Sequence, residues 1–333
     1  MRIPTDISLR RVAVSLAPLV ALVVLVSTPQ LLGRHVASAG AELAEASPLW
    51  LWLALAAFLA SLLGTVFSWR TALVASGARL SRYDAAARYG VGCLVNSFAP
   101  ASLGDAVRVA LLSQKLEGPD RIWATGGAAA SVAAVRGIVL GGLVVVAALV
   151  GALPLWPVAV LCGAVGFGAA GALLLRRRWR QGRFGRFLET FTTLLRQPRA
   201  LARVVGWSVL SQGAKISAAA AVAAALAVPH PLVAALLIVP TLQLATSFPI
   251  TPGNVGVASG AVALALQSRG VEVGQAIATG IAFHAAETIV GIAFGTAGTL
   301  AVVPVPPLVR RLAVAGAAAA LAVGMGVTVF SLV

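Results

Sequence analysis

Apolar runs dominate the chain, and short polar links separate them. Runs at roughly 11–31, 49–75, 122–150, 154–175, 201–226, 274–303 and 309–332 are each long enough for a helix to cross about 30 Å of hydrocarbon. Two further regions, about 88–112 and 232–266, are apolar but interrupted by Pro and Gly. The first contains NSFAPASLGDAVRVAL from Asn96 to Leu111, the second TSFPITPGNVGVASGAVAL from Thr246 to Leu264. This pattern predicts an all-α polytopic membrane protein with about seven full transmembrane helices plus two broken re-entrant hairpins. No polar block is long enough for a soluble domain, so residues 1–333 are read as a single integral membrane domain.

The two broken regions match. Asn96-Ser97-Phe98-Ala99-Pro100 and Gly104-Asp105 correspond to Thr246-Ser247-Phe248-Pro249 and Gly253-Asn254, at an offset of 149 or 150 residues. Three full crossings lie between them, and an odd number turns the second copy upside down. An inverted repeat with interrupted helices is a sequence signature of a transport site near the bilayer midplane. The first pseudo-repeat is placed at about 80–175 and the second at about 201–333, with 176–200 as a basic cytoplasmic loop.

Backbone hydrogen bonding explains what such breaks require. Pro100, Pro249 and Pro252 remove donors, while Gly104, Gly253 and Gly256 permit tight reversals. Unpaired backbone groups cost several kcal/mol each in hydrocarbon, so a turn there must be buried in protein or face a wet cavity. Asp105 and Asn254, after the turns, are placed to cap the half-helices that follow, whose N–H groups attract anions. The competing reading is a pair of proline kinks in ordinary helices.

Composition agrees with the membrane reading: 59% of residues are hydrophobic and 11% charged, and the mean hydropathy is +0.96. The net charge of +15 does not indicate nucleic acid, because the basic residues fall between membrane-length apolar runs. Cys93 and Cys162 lie inside such runs as buried thiols, and their spacing suggests no metal site. A basic start (Arg2, Arg10, Arg11) before the first apolar run raises a cleaved signal peptide. However, Ala37-Ser38-Ala39 stands too far beyond that run for a cleavage site.

Charge then sets orientation. With the N-terminus in the cytoplasm and each broken region returning to its own side, all but four of the 25 Lys and Arg residues fall inside. Arg34 and Arg269 lie outside, and Arg136 and Lys215 lie within spans. That is the asymmetry the positive-inside rule demands, and it puts the C-terminus outside and the chain in the cytoplasmic membrane. The block RRRWRQGRFGR, Arg176–Arg186, serves this topology or docks on anionic headgroups.

Arg136, Lys215, His284 and Glu287 are ionisable groups within spans, each costly unless it meets a partner or a cavity. His284 and Glu287, three apart, share a helical face. Two arrangements are open. Glu287 neutralises Arg136 or Lys215 as an internal ladder, or surplus positive charge receives a lipid phosphate. Gln212, Gln243, Thr246 and Ser247 are secondary polar positions.

Pro100-x-x-x-Gly104-Asp105-x-x-Arg108 resembles the P-x-x-x-G-D-x-x-R signature of the lysylphosphatidylglycerol synthase transmembrane-region family, which includes the flippase half of the bacterial multiple peptide resistance factor. Pro249-x-x-Pro252-Gly253-Asn254-x-Gly256 resembles its second motif, P-x-x-P-G-G-x-G-x-x-E. The chain departs from the pattern at Asn254 (glycine), Ser259 (acidic), Val135 (acidic) and His284 (arginine). The resemblance implies lipid translocation or binding, without the aminoacyltransferase domain.

The expected function is therefore a flippase or scramblase-like transporter for an anionic phosphate-bearing lipid, either an aminoacylated phospholipid or a polyprenyl-phosphate-linked sugar. The expected substrate-binding residues are Arg136, Lys215, His284, Glu287, Asp105, Arg108 and Asn254. The alternatives are an integral-membrane enzyme and an accessory scaffold for a cell-envelope pathway, and an oligomer or biosynthetic partner is open. The sequence offers no catalytic constellation, cofactor motif or phosphate-binding G-x-x-x-x-G-K-[ST], so transport would be downhill, ion-coupled or partner-driven.

Overall fold

The structure is a computed structural model that describes residues 42–98, 101–118, 120–151, 183–246 and 257–302. Among these residues every regular element is a helix. In chain order they are α1 (Pro48–Ala75), α2 (Arg82–Phe98), α3 (Ala101–Ser113), α4 (Arg121–Leu149), α5 (Arg183–Arg196), α6 (Pro198–Ala225), α7 (Pro231–Thr246), α8 (Val257–Gln267) and α9 (Val273–Val302). The helices α1, α4 and α9 are long and apolar enough to cross a membrane. The expected spans at 11–31, 154–175 and 309–332 lie outside the described residues.

The two halves repeat one order of lengths. Helices of 28, 17, 13 and 29 residues (α1 to α4) are matched by helices of 28, 16, 11 and 30 residues (α6 to α9). Both 28-residue helices start on a proline, which lacks an N–H where the helix has no use for one. Both also end alike. The N–H of Ala78 bonds Leu73 O and that of Val228 bonds Ala223 O, each at 2.9 Å. The reversal runs through left-handed backbone at Gly77 (φ 95°) and Ala227 (φ 52°).

α1 and α6 pack antiparallel along their whole length. The Ser47 N–H donates to Ala225 O at 2.9 Å at one end, and the Gln197 amide donates to Ala75 O at 3.1 Å at the other. Between these ends runs a hydroxyl seam. Ser61 and Ser211, 150 residues apart, have their Oγ atoms 3.3 Å apart. Thr65 meets the same Ser211 at 2.9 Å, and Ser68 meets Ser208 at 3.2 Å. Ser61 and Ser211 occupy the same place midway along their helices.

The apolar core lies on both sides of this seam. One cluster joins the first half of α1 to α6, α7, α8 and α9, with the Phe58 and Phe283 rings edge to face at 4.9 Å. The other joins the second half of α1 to α2, α3, α4 and α5, around Leu73, Tyr89, Leu112, Val132 and Leu194. The segment 176–200, expected as a loop, holds α5. Its apolar residues Phe184, Phe187, Leu188, Phe191 and Leu195 recur at helical spacing. α5 lies against α4, where Gly127 leaves room for the Phe187 carbonyl and Thr190.

Candidate functional site

α2 and α3 form the first broken pair, and two glycines set how closely they approach. A Cβ on Gly104 would overlap the Asn96 carboxamide and the Gly92 carbonyl, and one on Gly92 would overlap the Arg108 side chain. The Asn96 Oδ1 accepts the Gly104 N–H at 2.8 Å, so a side chain near the end of α2 binds backbone early in α3. Helix α3 begins at Ala101, which corrects two expectations. Gly104 is a contact glycine inside a helix, not a turn residue. Asp105 lies beyond the first turn, too late to cap. It pairs instead with Arg108, one turn on.

Arg108 is 9% exposed. Its guanidinium lies over the Tyr89 ring, with Cζ 4.2 Å from the centroid, and donates to Cys93 Sγ at 3.3 Å. Tyr89 is braced by Trp69, whose ring stands edge-on at 5.8 Å. The Arg108 Nε is buried without a hydrogen-bond partner among the described residues. Burying such a donor is costly unless something else binds it.

These groups edge a cavity of about 640 Å³ between α2, α3 and α4. Its polar lining is Asp105, Arg108, Tyr89 and Trp69 on one side and Arg136 on the other, and apolar residues such as Ile122, Ala129 and Ala133 make the rest. Two guanidinium groups thus face one carboxylate. Arg136 makes no hydrogen bond or ion pair with any described residue.

Lys215 and Glu287 meet elsewhere. Lys215 Nζ is 2.6 Å from Glu287 Oε1, joining α6 to α9. Of the two cations proposed as partners for Glu287, Lys215 is the one that pairs with it. His284 is one turn from Glu287 on α9, and none of the three lines the cavity. The seven expected binding residues thus divide: Asp105, Arg108 and Arg136 share the cavity, Lys215, His284 and Glu287 form a second cluster, and Asn254 lies outside the described residues. Pro100, Pro249, Pro252, Gly253 and Gly256 lie outside them too. Gln212 and Gln243 bond each other through paired amides at 2.9 and 3.3 Å.

Tyr89, Gly92 and Asn96 were not among the expected site residues. Asn96 carried a visible signal, since a carboxamide within an apolar helix needs a partner. Tyr89 and Gly92 read as ordinary core.

Neither a curated protein nor a solved structure matches the chain. The family model described as "Lysylphosphatidylglycerol synthase TM region" matches residues 10–295. The chain, an all-helical membrane protein with a cationic cavity between α2, α3 and α4, therefore belongs to the lysylphosphatidylglycerol synthase transmembrane-region family.

Proposed function

We propose that the protein moves an anionic phosphate-bearing lipid across the cytoplasmic membrane. The observation that carries this reading is the cavity itself: Arg136 without a hydrogen-bonding or ionic partner among the described residues, facing Arg108 with a buried, unused Nε, in otherwise apolar helices. Two guanidinium groups match the oxygens of a phosphate in geometry and charge. They would replace the water that a headgroup leaves on entering hydrocarbon, which lowers the barrier to crossing. Family membership places the chain among membrane proteins of lipid and cell-envelope pathways, which agrees with such a substrate.

We read the two halves as an inverted repeat. The matched order of helix lengths supports this, as does the antiparallel contact of α1 with α6 through equivalent serines. In a two-fold arrangement, equivalent residues meet on the axis, and Ser61 with Ser211 fits that place. The reading puts the N-terminus and residues 176–200 in the cytoplasm. A Gly185→Cys protein is then expected to resist an impermeant thiol reagent in intact cells. Labelling there would sink both the orientation and the repeat.

The test of function is movement of a fluorescent anionic phospholipid in vesicles carrying the purified protein. Arg136→Gln removes a charge with no hydrogen bond or ion pair among the described residues, so stability is expected to stay within about 0.5 kcal/mol, while lipid movement falls to the protein-free rate. Wild-type movement in Arg136→Gln would remove the cavity from the mechanism.

A further inference from the structure

The Lys215–Glu287 pair lies apart from the cavity yet is mechanically joined to it. α9 runs antiparallel to α2 with almost no side chain between the backbones. A Cβ on Gly295 would stand 2.7 Å from Leu94 Cβ, and one on Gly90 would stand 2.9 Å from the Phe294 carbonyl oxygen. Gly298 opposes Ala87 and Gly90, Gly295 opposes Leu94, and Gly291 faces Ser97. Continued by one turn from Gly291 and Ser97, this register puts Glu287 just past the end of α2. α2 is locked in turn to α3 by Gly92 and Gly104, and α3 carries Arg108. A displacement of α9 therefore has a contiguous path to the cavity, through contacts too close to yield.

We propose that the Lys215–Glu287 pair is a proton-binding site through which lipid movement in the cavity is coupled to a proton gradient. This inference rests on the transport reading above and adds its driving force. The Glu287 carboxylate takes up one proton, becomes a neutral acid and gives up its ion pair with α6. The Lys215 ammonium keeps its charge, so the interior gains one positive charge as the lipid phosphate brings one negative charge. Release of the proton on the other side restores the carboxylate and the pair. Proton and lipid cross in the same direction, one for one.

The ionisable groups nearest Glu287 are basic. Lys215 faces it from α6, His284 stands one turn away on α9, and Arg136 acts on it at longer range from α4. α8 carries no charged residue. On α2, Cys93 is within electrostatic reach of Glu287, while Arg82, Asp84 and Arg88 lie two turns or more from the Phe98 end. On α1 the one charge, Arg70, is held by the Leu80 carbonyl at 3.0 Å. His284 offers an imidazole through which the proton passes to or from Glu287.

The experiment uses vesicles of phosphatidylcholine with a trace of fluorescent phosphatidylglycerol and an imposed gradient of one pH unit, alkaline inside. One-for-one coupling sets an inner-to-outer leaflet ratio near tenfold, since one pH unit is about 1.4 kcal/mol. A protonophore should return the ratio to one. The Lys215→Gln/Glu287→Gln double variant leaves no unpaired charge, so it is the variant expected to fold. It should equilibrate the lipid with no response to the gradient. A wild-type protein that equilibrates the lipid but holds a ratio near one overturns the coupling and leaves the transport reading standing. A gradient response retained by the double variant overturns the site. A wild-type protein that moves no lipid overturns both readings.

Discussion

Gly104→Ala is expected to abolish lipid movement and to lower thermal stability, whereas Gly137→Ala leaves both near wild type. One methyl group is added in each case, and the surroundings decide the outcome. At Gly104 the new carbon falls on the Asn96 carboxamide and the Gly92 carbonyl, so α2 and α3 must separate and the Asn96 bond to the Gly104 N–H is lost. Overpacking of this kind costs about 1–3 kcal/mol, and the displaced helix carries Arg108. At Gly137, a neighbour of Arg136, a Cβ meets nothing within 4 Å, and alanine in a helix is favoured over glycine by roughly 0.5–1 kcal/mol. The Asn96→Ala/Gly104→Ala protein should not recover, because the Gly92 carbonyl remains in the way. Unfolding in detergent and the vesicle assay, run on the same preparations, would check all three proteins. A wild-type rate in Gly104→Ala would show that the close approach of α2 and α3 is dispensable.

The second large effect is expected from Lys215→Gln, and its signature differs from that of Arg136→Gln. Removing one partner of a fully buried ion pair costs about 3–5 kcal/mol, mostly because the other charge is stranded. The Glu287 side chain keeps 39% exposure within the protein, so the pair is not fully buried and the loss is expected below that range, at about 2 kcal/mol. Neutralising Glu287 as well should recover most of the loss, since the double variant strands nothing. The measurement is folded yield and unfolding midpoint for the two single variants and the pair. Equal losses in the single Lys215→Gln and the double variant would mean that the pair itself, and not a stranded charge, holds α6 to α9.

The elements were legible in the sequence because lipid imposes a length. The apolar run read at 49–75 is the helix Pro48–Ala75, and that at 274–303 is Val273–Val302. Around Pro100 the sequence places a break, and the described residues have α2 ending at Phe98 and α3 beginning at Ala101, whereas Pro240 stands inside α7 without ending it. The partners across helices were harder to read. Asp105 follows a Pro and a Gly at a spacing that suits a cap equally well, and only the start of α3 at Ala101 decides that it does not. Arg136 and Lys215 looked alike as lone cations in apolar spans. They differ because α6 meets α9 at Glu287, whereas α4 faces a cavity. Which helices are neighbours is set by packing between segments far apart in the chain, 72 residues for Lys215 and Glu287, and a local motif does not record it.

The seam between α1 and α6 has a mechanical consequence. Large interdigitating side chains would fix two helices in one register, as teeth fix gears. Here the middle of the contact is made by Ser61, Thr65, Ser68, Ser208 and Ser211, with Gly64 against the Trp207 carbonyl at a Cβ distance of 3.0 Å, and one large pair, Phe67 with Trp207, stands beside it. Hydroxyl groups donate and accept alike, and the Ser211 hydroxyl is already shared by Ser61 and Thr65, one turn apart. A slip of α1 past α6 would therefore exchange one hydroxyl neighbour for the next, but it would also unpack the Phe67 ring from Trp207. The hydroxyls thus tolerate small shifts of α1 along α6, whereas the Phe67–Trp207 pair and the Ser47–Ala225 bond at the end of the seam fix the register.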